Sequence, residues 1–143
     1  MRRLLLNSVV LVAAAGTAAR AQNPYQTPPA GAKHADIAGT WDGKTMVGPK
    51  DSVITTWTLV IDPGKSWTLT LPGRPPVAGR ILASGGDSVV TEAGPYPSVT
   101  RPGQMVTTHT VAHFKGDHMT GVTDAKFASG DVVHAKTEAT RRK

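Results

Sequence analysis

The stretch MVTTHTVAHFKGDHMTGVTDAKFASGDVVHAKTEA, residues 105–139, decides the fold. Its β-branched and aromatic runs break twice, at Gly116-Asp117 and at Ala128-Ser129-Gly130. Gly116-Asp117 suits a two-residue type II′ turn, which takes glycine first. That turn sets Phe114 opposite Met119, Ala112 opposite Gly121 and Thr110 opposite Thr123. Ala128-Ser129-Gly130 suits a three-residue loop closed by a glycine of positive φ, which places Ala125 opposite Val133 and Thr123 opposite Ala135. A slip of one residue exchanges the two faces of a strand, so turn chemistry and apolar pattern are independent tests of one register. Here they agree: the odd positions from Met119 to Ala139 point inward.

The same reasoning extends toward the N-terminus. Trp57, Leu59 and Ile61 share one face, as do Trp67, Leu69 and Leu71. Both sets face inward when Asp62 stands opposite Ser66 across a three-residue loop. The loop 72–76 then predicts Leu71 opposite Val77, Leu69 opposite Gly79 and Trp67 opposite Ile81, with Arg80 outward. Strands are expected at 36–43, 52–61, 66–71, 77–83, 88–92, 105–115, 118–127 and 131–139, with a weaker segment at 98–101. No helical period interrupts them. The expectation is an all-β domain, an antiparallel up-and-down meander of about eight strands that closes and so removes exposed edges. An open sheet or sandwich is the alternative.

Residues 1–21 read as a signal peptide. Arg2 and Arg3 precede an apolar stretch, and Ala19-Arg20-Ala21 fits the small-x-small cleavage pattern. The apolar run is short for a membrane span, so an exported, periplasmic or extracellular protein is expected, with no transmembrane segment after cleavage. Residues 22–35 are rich in Pro and polar residues and read as a flexible lead-in, leaving 36–143 as the single domain. Without Arg2, Arg3 and Arg20 the formal charge of +6 falls to +3. The remaining basic residues are scattered, which argues against nucleic acid as a partner. Cysteine is absent, which excludes disulfides and thiolate metal sites.

Gly39-Thr40-Trp41 opens the first strand, and Arg141 stands in phase with Val133, Ala135, Thr137 and Ala139 at the end of the last. This pair resembles the calycin pattern of lipocalins, fatty-acid-binding proteins and avidins. In lipocalins a Gly-x-Trp of the first strand packs against an arginine near the end of the barrel. The resemblance implies a barrel over about 36–143 with a ligand in its mouth. The lipocalin Thr-Asp-Tyr loop motif has no counterpart, because Thr123-Asp124-Ala125 falls inside a strand.

The inward set of the last three strands is small and hydroxyl-bearing: Thr108, Thr110, Ala112, Gly121, Thr123, Ala125, Ala135, Thr137 and Ala139. Against it stand Trp41, Trp57, Leu59, Trp67 and Leu69. A wall of Thr and Ala facing a wall of Trp has the composition of a small-molecule pocket. The same pattern also describes a tapered barrel whose large side chains fill the middle. The candidate ligand-binding residues are Trp57, Trp67, Thr110, Phe114, Thr123 and Thr137. Tyr96 joins them at the rim on a stiff Gly94-Pro95-Tyr96-Pro97-Ser98 turn, with Arg101 beyond it as an anion contact.

His109 and His113 are not a metal pair on a strand, where four residues span roughly 13 Å. Both face outward, His109 across from Asp124 and His113 across from Thr120; His118 and His134 also face out, and His34 lies in the lead-in. Gly86-Asp87-Ser88 lacks the strand-to-helix setting of a hydrolase nucleophile. Glu92 and Asp87 are not fixed across a cleft. No catalytic constellation, metal set or cofactor motif is present, so the expectation is a non-enzymatic protein that binds a small, largely apolar ligand. The alternative is an adhesion or assembly module with a filled core, acting through Arg80, His109, His113, His134 and the basic tail.

Overall fold

Eight strands follow in chain order in a computed structural model that describes residues 37–63 and 66–143. They are β1 (Gly39–Val47), β2 (Ser52–Ile61), β3 (Ser66–Thr70), β4 (Val77–Gly85), β5 (Ser88–Pro97), β6 (Met105–Lys115), β7 (His118–Phe127) and β8 (Val132–Arg141). Each pairs antiparallel with the next, and β8 returns to β1 through Trp41↔Arg141 to Met46↔Lys136. The result is a closed all-β barrel, consistent with a calycin-like fold. The signal peptide expected at 1–21 and the lead-in expected at 22–35 lie outside the described residues. Among the described residues no helix is long and apolar enough to cross a membrane.

The predicted hairpins at 105–139 form as the turn chemistry requires. Phe114 pairs Met119 and Thr110 pairs Thr123; Ala125 pairs Val133. Gly116 takes φ 58° while Asp117 stays in the ordinary region, the signature of II′ and not of I′. Gly130 takes φ 96°, and Phe127 N–H reaches Asp131 C=O at 2.9 Å across the three-residue loop. The β2–β3 register also holds, with Leu59 opposite Leu69 and Asp62 N–H donating to Ser66 C=O at 3.0 Å.

Four expectations about the strands are corrected. The β3–β4 register lies two residues from the predicted one: Trp67 stands opposite Gly79 and Leu69 opposite Val77. Pro72, Pro75 and Pro76 give the connection no N–H for a ladder, and the Trp67 indole occupies space that a side chain at position 79 would need. A shift of two preserves the faces, so the inward set survives. The segment 94–98 is not a turn. β5 continues through it to Pro97 with a bulge between Ala93 and Tyr96, and pairing resumes at Tyr96↔Val106. Gly94 takes φ 107° there, and a Cβ on it would meet the Val106 carbonyl oxygen at 2.6 Å. Finally, 98–101 is a turn and not a strand. The buried Ser98 Oγ accepts from the N–H groups of Thr100 and Arg101 at 3.1 and 3.0 Å, satisfying the backbone locally. The first strand also starts later and runs further than the expected 36–43.

One end of the barrel is plugged. Trp41 is fully buried, and its Nε1–H donates to Ile37 C=O at 3.0 Å. The Arg141 guanidinium lies 4.5 Å above its ring centroid, and Phe114 meets the ring edge-on at 5.1 Å and 76°. Arg141 also bonds the carbonyl of Ala38 and that of Gly116, and its Nε sits 3.1 Å from Asp117 Oδ1. The first and last strands and the β6–β7 turn are thus tied through one guanidinium. Arg141→Ala is expected to lower stability in urea unfolding by about 2 kcal/mol, through a lost cation–π contact and lost charge-assisted bonds. Arg142→Ala, which removes only an exposed pair with Asp42, is expected to cost clearly less.

Candidate ligand site in the barrel lumen

Strand alternation sends every second side chain inward, and the closed barrel gathers them around a lumen with about 140 Å³ of free space. Its lining runs from the plug to the other end, where the connections 48–51, 71–76, 98–104 and 128–131 lie and where Ile54 is 39% exposed. All seven candidate residues, Trp57, Trp67, Tyr96, Thr110, Phe114, Thr123 and Thr137, line this one cavity. An apolar cavity of about 150 Å³ suffices for benzene, so the free space matches a molecule of roughly one ring.

The space exists because the two lumenal tryptophans do not project across it. Trp57 is paired with Gly43 and Trp67 with Gly79. A Cβ on Gly43 would fall 2.3 Å from Trp57 Cη2, and one on Gly79 would fall 2.1 Å from Trp67 Cζ2. Each indole therefore lies flat over the neighbouring strand, on backbone that only glycine leaves bare. The Trp57 indole is pinned further, its Nε1–H donating to Thr45 Oγ1 at 3.0 Å. Trp67 Nε1 is buried without a hydrogen-bond partner, so packing alone fixes that ring.

Around the lumen beside and across from them runs a girdle of threonines. Thr91, Thr110 and Thr123 are direct cross-strand neighbours on β5, β6 and β7, and Thr110 Oγ1 lies 2.8 Å from Thr123 Oγ1. Thr137, Thr45 and Thr55 are direct neighbours on β8, β1 and β2, and Thr137 donates to the Lys44 carbonyl at 3.2 Å. Sequence reasoning missed Thr45, Thr55 and Thr91. The signals that reach them are the β1–β8 closure, which carries the inward phase of Thr137 across to Thr45, the shared phase of Thr55 with Trp57, and the pairing of Thr91 with Thr110. At the loop end, burial pushes the Tyr96 phenol above its ordinary pKa, partly opposed by a hydrogen bond to Thr108, so it stays neutral at pH 7. Arg101, expected beyond Tyr96 as an anion contact, is engaged elsewhere: its guanidinium lies 4.1 Å over the Phe127 ring and 2.8 Å from Asp131.

The outer face carries a different chemistry. Arg80, Glu92, His109, Asp124 and His134 are successive cross-strand partners on β4 to β8, a belt of alternating acid and base. His109 Nε2 lies 2.5 Å from Glu92 Oε2, and His134 Nδ1 lies 2.6 Å from Asp124 Oδ1. His113 meets both Ser88 Oγ, at 2.9 Å, and Asp87 Oδ1, at 3.4 Å. A Ser–His–Asp relay needs its partners on opposite ring nitrogens. Here both meet Nδ1, and the three residues form a surface cluster.

Burial pushes the Glu92 carboxyl up, but hydrogen bonding and charge from Arg80, with His109 behind, outweigh it and hold the group below the usual range. A carboxyl so depressed stabilises the fold above its unfolded pKa, about 4.3, and that support is lost as pH falls through the folded value. Glu92→Gln is expected to cost less than about 1 kcal/mol at pH 7 and to flatten the loss of stability below about pH 4 in urea titrations. Gly79→Ala is expected to force the Trp67 indole toward the lumen. The expected readouts are a loss of about 1–3 kcal/mol, an altered near-ultraviolet circular dichroism and weaker uptake of one-ring probes, with stability restored by adding Trp67→Phe.

Comparison with family models, with curated proteins and with solved structures yields no significant match.

Proposed function

We propose that this chain is an exported, calycin-like barrel, of the lipocalin or avidin kind, that holds a small and largely apolar ligand non-covalently in its lumen. The observation that carries the reading is the cavity of about 140 Å³ kept open between indoles laid on glycine and a threonine girdle. Both tryptophans lie against a glycine of the neighbouring strand, an arrangement that supports an unfilled lumen. The plug of Trp41 and Arg141 supports the likeness to lipocalins, since it joins the first strand to the last as the resemblance implies. Trp57, Trp67 and Phe114 supply apolar contact, Thr110, Thr123 and Thr137 supply hydroxyls, and Tyr96 stands near the loop end.

Replacing Thr110 and Thr123 together by leucine fills the lumen with apolar side chains while keeping the strand pattern. Native mass spectrometry of the protein purified from its own host is expected to show a co-purifying small molecule, lost in the double variant with the far-ultraviolet spectrum of a β-barrel intact. Retention of the same molecule by the double variant overturns the reading. So does a discrete oligomer or protein partner with no small molecule, which points to the outer belt of Arg80, Glu92 and His109 as the working surface.

A further inference from the structure

We infer that the lumen selects an uncharged molecule of about one ring carrying a hydroxyl or carbonyl group, and that it rejects carboxylates; this rests on the lumen being the ligand site. Among the described residues, no side chain that lines the cavity is ionisable except the phenol of Tyr96, whose pKa burial raises further above its ordinary value, so that it is neutral at pH 7. An anion carried inside therefore loses its hydration and meets no cation, a loss that buried charges recover only from a close partner. The arginines of the loop end do not supply one. Arg101 is held by Asp131 and the Phe127 ring, and Arg74 lies outside on the Ser98 carbonyl at 3.5 Å.

The lumen is nevertheless not purely apolar. Thr110 and Thr123 share one hydrogen bond between two hydroxyls on the lumen wall, which leaves one proton and several lone pairs outside that bond for a guest to meet. A neutral oxygen on the ligand completes that pair. A hydrocarbon of equal size leaves it incomplete, and a carboxylate overloads it. The free volume limits the body of the ligand to roughly one ring, which argues against long-chain molecules lying wholly inside.

The test is a titration of the full chain at pH 7 with toluene, benzyl alcohol and benzoate, followed through the indole N–H resonances of Trp57 and Trp67, with Trp41 in the plug as the internal control. Benzyl alcohol is expected to bind at least about tenfold more tightly than benzoate. Replacing both Thr110 and Thr123 by valine, which keeps shape and removes the hydroxyls, is expected to lower affinity for benzyl alcohol about tenfold relative to toluene. Benzoate binding as tightly as benzyl alcohol overturns the inference and leaves the lumen as a ligand site. An unchanged preference in the valine variant overturns the role given to the hydroxyl pair. Failure of all three probes to shift either lumenal indole overturns the ligand site itself.

Discussion

A tryptophan side chain buries more surface than any other, and two of them set on the inner face of a small barrel would ordinarily close it. Here each indole has a glycine as its cross-strand neighbour and lies down on that strand. The rest of the interior depends on this constraint. The rings keep their dispersion contacts with the wall and the axis stays clear. Toward the plug, Ile61 and Trp67 pack in one cluster with Ala112, Met119 and Ala139, while Thr110, Thr123, Ala125 and Ala135 line the free space of the lumen. Glycine inside a strand is costly in backbone entropy, and at positions 43 and 79 any larger side chain would collide with the indole opposite.

The two ends of the barrel are held in different ways. At the plug, Trp41, Phe114 and Arg141 pack in one stack, and the guanidinium reaches both the start of β1 and the β6–β7 turn. That end carries much of the buried apolar cluster, including Ile61, Val89, Met119 and Ala139. At the loop end, a second guanidinium over a second ring, Arg101 on Phe127, fixes the 98–104 connection against the β7–β8 loop through Asp131. The bulge in β5 belongs to the same design, since it re-phases the strand so that Tyr96 lines the lumen after the break at Gly94. The proposed capture of a molecule by contact area and a few hydroxyls would rest on the plug as its floor and on the uncharged lining above it.

Much of this was legible in residue order, and the failures are local. Where a turn has strict chemistry, as at Gly116-Asp117 and Ala128-Ser129-Gly130, loop length and apolar parity pin the register to the residue. The β3–β4 connection has three prolines and no such chemistry, so parity alone was available, and parity cannot tell Gly79 from Ile81 as the partner of Trp67. That is why the glycine bed was not foreseen. Gly94-Pro95-Tyr96-Pro97 has the composition of a turn, yet a bulged strand near a barrel end uses the same residues, since neither Pro nor Gly is needed as a ladder donor there. The seven candidate residues still converge on one cavity, because the β3–β4 register error was a shift of two and left the inward faces of the strands that carry them in place. Thr45 escaped notice because its lumenal neighbour Thr137 is set by closure between the first and last strands, whereas Thr55, in phase with Trp57, and Thr91, opposite Thr110, follow from pairs of sequential strands.

The central claim is that the lumen is empty enough to admit a guest, and methyl-resolved NMR under xenon pressure reads it directly. Methyl signals of Ala112, Ala125, Ala135 and Thr123 are expected to shift saturably as xenon enters, while those of the outward Val122 and Val132 stay in place. Lumenal methyls that do not respond, or that respond no more than the outward valines, would contradict an open interior.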